Sequence, residues 1–131
     1  MTRTIIHLDG VARTYQSGPV AVEALKPVDL EVGAGDYLAV TGPSGSGKST
    51  LLHIIGCLDR PTAGRYALDG RATDELDDRQ LAAVRGRRIG FVFQRFHLLG
   101  DTTALQNVAL PLLYAGIARP ERMRRAREAL A

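Results

Sequence analysis

The sequence predicts an α/β fold, on three observations. Tyr37-Leu38-Ala39-Val40-Thr41 is short and nearly all apolar, as a strand buried on both faces should be. It runs into a glycine-rich stretch, Gly42 to Thr50, and then into an apolar helical segment that opens with Leu51-Leu52-His53-Ile54-Ile55. Upstream, Val28-Asp29-Leu30-Glu31-Val32 alternates apolar and polar with period two, the mark of a half-buried strand. The 131 residues are 45% hydrophobic and 24% charged, which suits one domain with a real core and excludes a disordered or fibrous chain.

The elements follow in order. Ile5 to Tyr15 predicts a strand with a charged turn at Asp9-Gly10, and Ser17-Gly18-Pro19 a turn after it. Gly33-Ala34-Gly35-Asp36 ends the next strand, so short a break that the strands 28–32 and 37–41 are expected to be antiparallel neighbours. The helix after the glycine-rich stretch should stop near Gly56 to Asp59, and Pro61 to Gly64 should turn into a strand at Arg65 to Leu68, closed by Asp69-Gly70. Asp77-Asp78 offers N-cap carboxylates to a helix through Val84, leaving Arg85 to Arg88 as a charged connection. Ile89 to Phe93 is a second apolar strand, ending at Gln94. Leu105, Val108, Leu112 and Leu113 recur at helical spacing, with Pro111 as a kink or boundary and Gly116 as a C-cap. Pro120 suits the first turn of a last helix through Leu130.

Charge and cysteine narrow the setting. The net charge is +3, and arginines gather at residues 85–88 and 119–127. These are either a footprint for an anionic surface or two solvated helix faces, and solvated faces are the reading preferred here. Aromatics make up 5% and tryptophan is absent, so base-stacking platforms are few and no nucleic-acid partner is expected. No apolar run reaches the roughly 20 residues needed to cross a bilayer, and the N-terminus lacks the apolar core of a signal peptide. A lone cysteine, Cys57, excludes an intrachain disulfide, fits a reducing cytosol and reads as core. His7, His53 and His97 form no cluster in sequence, and none is read as a ligand.

The chemistry lies in Gly42-x-x-x-x-Gly47-Lys48-Ser49, which matches a phosphate-binding loop between strand and helix. Polyphosphate is dense negative charge that must be met at short range. Glycines allow a backbone wrap closed to residues with a Cβ, and the amides of that wrap, continued into a helix N-terminus, point at phosphate oxygens. Within Gly42, Pro43, Ser44, Gly45, Ser46, Gly47, Lys48, Ser49 and Thr50, Lys48 should reach the β and γ phosphates. Ser49 should ligate Mg²⁺ and Thr50 should add a phosphate contact. A flexible linker would require neither the fixed lysine nor the flanking strand and helix.

The residues 41–52, Thr-Gly-Pro-Ser-Gly-Ser-Gly-Lys-Ser-Thr-Leu-Leu, resemble the loop of ATP-binding cassette (ABC) transporter ATPases. Leu58-Asp59-Arg60-Pro61-Thr62-Ala63-Gly64, the strand Arg88 to Gln94 and the segment Gln106 to Leu112 resemble that family at the right spacing, so the likeness runs from Ile5 to Leu130. Gly90 to Leu99 and Asn107 to Leu112 point to the lipoprotein-release and macrolide-export branch. The resemblance implies a P-loop NTPase with an N-terminal antiparallel β subdomain, an incomplete central sheet and the start of a helical subdomain. Residues 1–94 would carry the β subdomain and phosphate loop, and residues 95–131 the helical beginning.

It also implies roles. Tyr15 would stack on adenine, where the residue pattern alone equally allows a strand-end tyrosine packed on the core. Gln94 would contribute to the Mg²⁺ or attacking-water site and couple it to a membrane partner, or else cap its strand. Phe96, Leu98 and Leu99 would lie beside that docking surface or in the helical core. The implied ligands are ATP and Mg²⁺. The implied partners are transmembrane permease subunits or domains and a second nucleotide-binding subunit, head to tail, at the cytoplasmic face of a membrane.

The family's Asp-ended apolar strand with its catalytic Glu, its Leu-Ser-Gly-Gly-Gln signature and its switch histidine have no counterpart here, since the sole Asp-Glu pair, Asp74-Glu75, follows no apolar strand. The chain is therefore expected to be the N-terminal part of a cassette, without a complete catalytic set and without hydrolysis of its own. The alternatives are a non-catalytic nucleotide-binding remnant, half of a split cassette, or, more remotely, a small kinase with the 119–127 arginines as its lid. Without the C-terminal half, the apolar faces of 37–41 and 89–93 should stand partly uncovered.

Overall fold

In the computed structural model, which describes residues 2–131, the first strand β1 (Thr4–Ser17) is the axis of a four-stranded antiparallel sheet. Its neighbours are β2 (Val20–Gly33) on one side and β3 (Ala63–Leu68) on the other, with the two-residue β4 (Arg71–Ala72) at the edge. The turn expected at Ser17-Gly18-Pro19 joins β1 to β2 with Ser17 opposite Val20. Four helices complete the described chain: α1 (Lys48–Ile55), α2 (Asp78–Arg88), α3 (Ala104–Tyr114) and α4 (Arg119–Leu130).

Several elements differ from expectation for local reasons. Asp9-Gly10 is not a turn between strands. It is a register slip inside β1 between Leu8 and Val11, with Gly10 at φ 57° and its amide donating to Asp29 Oδ1 at 2.6 Å. Gly64 packs against that slip: a Cβ there would lie 2.3 Å from the Gly10 carbonyl oxygen. β2 begins eight residues before Val28, because β1 offers it a ladder that spans Pro27. α2 carries on past Val84 through Arg88, so the arginines thought to form a connection lie on a helix. Asp77 caps it, accepting from the Gln80 amide at 2.7 Å while Gln80 Oε1 accepts from the Asp77 amide. Pro111 sits inside α3 without ending it, and Thr103 with Gln106 forms a capping box at its start.

The largest correction concerns 37–41 and 89–93. Neither is assigned to a strand, and among the described residues neither joins a ladder. The expected pairing of 28–32 with 37–41 does not occur: β2 pairs with β1 and is the edge of its sheet. A strand needs a neighbour for its amides and carbonyls, and these segments have none here. Their apolar side chains are open, Tyr37 at 97% and Val92 at 102% of full exposure.

The chain divides into two units, one up to Arg85 and the other Gly86–Ala131. The core of the first is Leu8, Val11, Leu25, Leu51, Ile54, Cys57, Tyr66 and Leu81, where α1 meets the sheet. Tyr66, fully buried, donates its hydroxyl to the Ile55 carbonyl at 2.8 Å. In the second, α3 and α4 pack together with Ala109 and Ala126 buried. Among the described residues no helix is long and apolar enough to cross a membrane.

Candidate functional site

The glycine-rich stretch wraps rather than extends. Gly42, Gly45 and Gly47 have φ of 158°, 80° and 93°, and the last two lie in the region that residues with a Cβ avoid. Gly47 is the N-cap of α1, and its position has a second cause: a Cβ would lie 2.7 Å from the Ala24 carbonyl of β2. The loop is thus pressed against the hairpin. Lys48 turns back across it, Nζ donating to the carbonyls of Gly42 at 2.5 Å and Pro43 at 2.6 Å and lying 3.3 Å from Ser46 Oγ. The Ser46 amide closes the wrap onto the Pro43 carbonyl.

Beside the wrap lies an open hollow of about 580 Å³, bounded by Ser44, Gly45 and residues 47–50 on one side and Val22, Glu23 and Ala24 on the other. No side chain caps α1, so its first amides face outward with the positive end of the helix dipole behind them. Ser49 is exposed, and its hydroxyl makes no hydrogen bond among the described residues. An ammonium, a helix terminus and a free hydroxyl around one concavity can hold a polyanion. No cluster of three or more His, Cys, Asp or Glu occurs among the described residues. A divalent cation here would need a ligand that brings its own oxygens, and Ser49 fits that arrangement.

Tyr15 lies on the same wall, directly opposite Val22 in the β1–β2 ladder. It is 39% exposed, so part of the ring is open to solvent. Its hydroxyl donates to Asp59 Oδ2 at 2.6 Å, and the Arg13 guanidinium lies 4.5 Å from its ring centre. Arg13 in turn pairs with Asp59 Oδ1 at 3.0 Å. Burial alone would raise the Asp59 carboxyl, but the Tyr15 hydroxyl, the Arg60 amide and the charges of Arg13 and His53 together hold it below its ordinary value. Arg13 and Asp59 thus surround the Tyr15 ring. Arg13 lies two positions before Tyr15 on one strand face, and Asp59 falls in the 58–64 stretch noted for its family resemblance; their contact with the ring is what the sequence did not show.

Gln94 belongs to the second unit, in an exposed bend after residues 89–93. Phe96, Leu98 and Leu99 are exposed too, while the Leu99 backbone is hydrogen-bonded to the Asn107 side chain of α3. Cys57 is buried, and burial pushes its thiol up despite the nearby Arg85, which leaves it unreactive.

Residues 25–131 match the family model described as ABC transporter. The chain belongs to the ABC transporter family. It is 53% identical over 128 residues to an uncharacterized ABC transporter ATP-binding protein of Thermotoga maritima, covering 98% of this chain and 55% of that one. It is 51% identical over 126 residues to the macrolide export ATP-binding/permease protein MacB of Agrobacterium fabrum, covering 96% of this chain and 19% of that protein. The structure superposes on the ATP-binding cassette MJ0796, solved as a dimer in a post-hydrolysis state bound to ADP and Pi, with TM-score 0.88 and 46% identity over 96% of this chain and 56% of that one. The chain therefore spans about half the length of the stand-alone cassettes it matches.

Proposed function

We propose that this chain is the phosphate- and base-binding portion of an ABC transporter's ATP-binding subunit. One observation carries the reading: the glycine wrap closed by Lys48, set against an open concavity at the uncapped start of α1. Lys48 exchanges two loop carbonyls for phosphate oxygens when nucleotide enters. The amides of 45–50 accept the remaining phosphate charge, Thr50 among them, and Tyr15 takes the adenine. Ser49 would help hold Mg²⁺, which when bound neutralises phosphate charge.

Gln94 passes nucleotide state to transmembrane partners, against which Phe96, Leu98 and Leu99 dock. The working assembly is a head-to-tail pair of cassettes at the cytoplasmic face of a membrane, driving transport through permease subunits. The MacB and MJ0796 likenesses support this assembly. Residues 1–94 form its β subdomain and loop, and residues 95–131 begin its helical subdomain. Hydrolysis requires an acidic strand end and a signature motif absent from these 131 residues, so the chain binds without turnover.

Calorimetric titration with Mg-ATP tests the reading. Lys48→Ala should weaken binding at least about tenfold through loss of a charge-assisted contact. Equal affinities for the two proteins would remove the loop's role.

A further inference from the structure

Tyr15 is held from two directions by groups that have no assigned part in nucleotide binding. Its hydroxyl is tied to one oxygen of Asp59, and the other oxygen pairs with Arg13, whose guanidinium lies against the tyrosine ring. The three side chains close a triangle. Arg13 Nε is buried without a hydrogen-bond partner, so the guanidinium is located by the carboxylate and the ring rather than by further bonds of its own. Asp59 is rigid in turn: Oδ1 accepts from the Arg60 amide at 2.8 Å, and the Asp59 amide donates to the His53 carbonyl of α1. The following turn is stitched to β1, with Thr62 donating its amide to the Ala12 carbonyl and accepting from the Thr14 amide.

An exposed tyrosine would otherwise sample its rotamers, and stacking a base on it would cost that freedom. Here the ring is already fixed and still 39% exposed. A cation on one face also draws density from the ring, so its remaining surface favours a neutral, electron-rich partner over a second cation. We infer that Arg13 and Asp59 are positioning residues for nucleotide binding, which hold the Tyr15 ring as a preformed platform for a purine base. Asp59 follows the C-terminal end of α1, and the phosphate loop forms its N-terminal end. Platform and phosphate grip are thereby built at the two ends of one helix about 12 Å long. The inference rests on the adenine-nucleotide reading proposed above and adds to it which residues orient the ring.

The test compares Mg-ATP with Mg-tripolyphosphate, which carries the charge without the base, by calorimetry on the whole chain. Tyr15→Leu removes the platform and should weaken ATP at least about tenfold. Asp59→Asn, Arg13→Met and Tyr15→Phe keep the ring but release it, and each should weaken ATP about fivefold. Tripolyphosphate affinity should stay unchanged in all of them. If Tyr15→Leu weakens ATP while Asp59→Asn, Arg13→Met and Tyr15→Phe do not, the positioning role is overturned and base stacking stands. If Tyr15→Leu leaves ATP binding intact, both fall. If Asp59→Asn lowers tripolyphosphate and ATP equally, Asp59 merely supports α1, which also overturns the proposal; Tyr15→Phe, a conservative change on an exposed ring, keeps the comparison valid should the Asp59 variant not fold.

Discussion

Gly64 and Gly70 have nearly the same backbone angle, φ 79° and 77°, in very different surroundings. A Cβ at Gly70 meets open space, whereas one at Gly64 would lie 2.3 to 2.5 Å from the backbone of Gly10 and Val11. Gly70→Ala should therefore cost about 1 kcal/mol, the left-handed penalty alone. Gly64→Ala must also move backbone against backbone and should cost about 3 kcal/mol or more. Thermal unfolding of the pair checks this, and equal shifts in Tm would refute the contact with the β1 slip. Gly42 to Thr50 announced its loop because glycine, lysine and hydroxyl residues occur there at fixed intervals. The pairing of Asp59 with Tyr15 gave no such notice, because the two lie 44 positions apart and only the β1–β3 ladder and α1 bring them together.

Helix α4 shows local chemistry sufficient for an element. Glu121 in its first turn takes Arg124 at 2.8 Å and Arg125 at 2.6 Å, and Arg124 also pairs with Glu128. Hydrogen bonds from Arg124 and Arg125 bring the Glu121 carboxyl down to about 2. Its folded value lies below its unfolded one, so its stabilisation is complete above about pH 4.5 and lost as pH falls toward about 2. Far-UV circular dichroism should show helix content declining through that window, less steeply in Glu121→Gln. Because these pairs are exposed, salt should also blunt the effect. The arginines of 119–127 thus serve in part as helix-surface partners, consistent with solvated faces rather than an anion footprint.

Across the whole molecule, burial is uneven in a way the periodicity of single elements does not reveal. Each unit has its own core, yet Tyr37, Leu38, Val92, Phe93, Phe96 and Leu98 are all at least half exposed. Exposed apolar side chains of this kind mark contact surfaces in each unit. An anilinonaphthalenesulfonate dye should bind the native chain, and Tyr37→Ser with Val92→Lys should reduce its fluorescence by about half or more without lowering Tm, since neither side chain is packed. Undiminished fluorescence would place the dye elsewhere.

Local order along the chain was enough to reveal the family, the phosphate loop, the first strand and the starts of the helices. Turns, caps and helical spacing act over a few residues, and the loop's chemistry is contiguous. Pairing was another matter. Whether 37–41 and 89–93 become strands depends on neighbours that no stretch of sequence contains within itself, and the length of β2 depended on the ladder that β1 offered. Likewise the clamp on Tyr15 exists only because folding carries the far end of α1 back to the first strand. Hydrogen bonds between distant segments are satisfied in space rather than along the chain, so three dimensions were needed to find them.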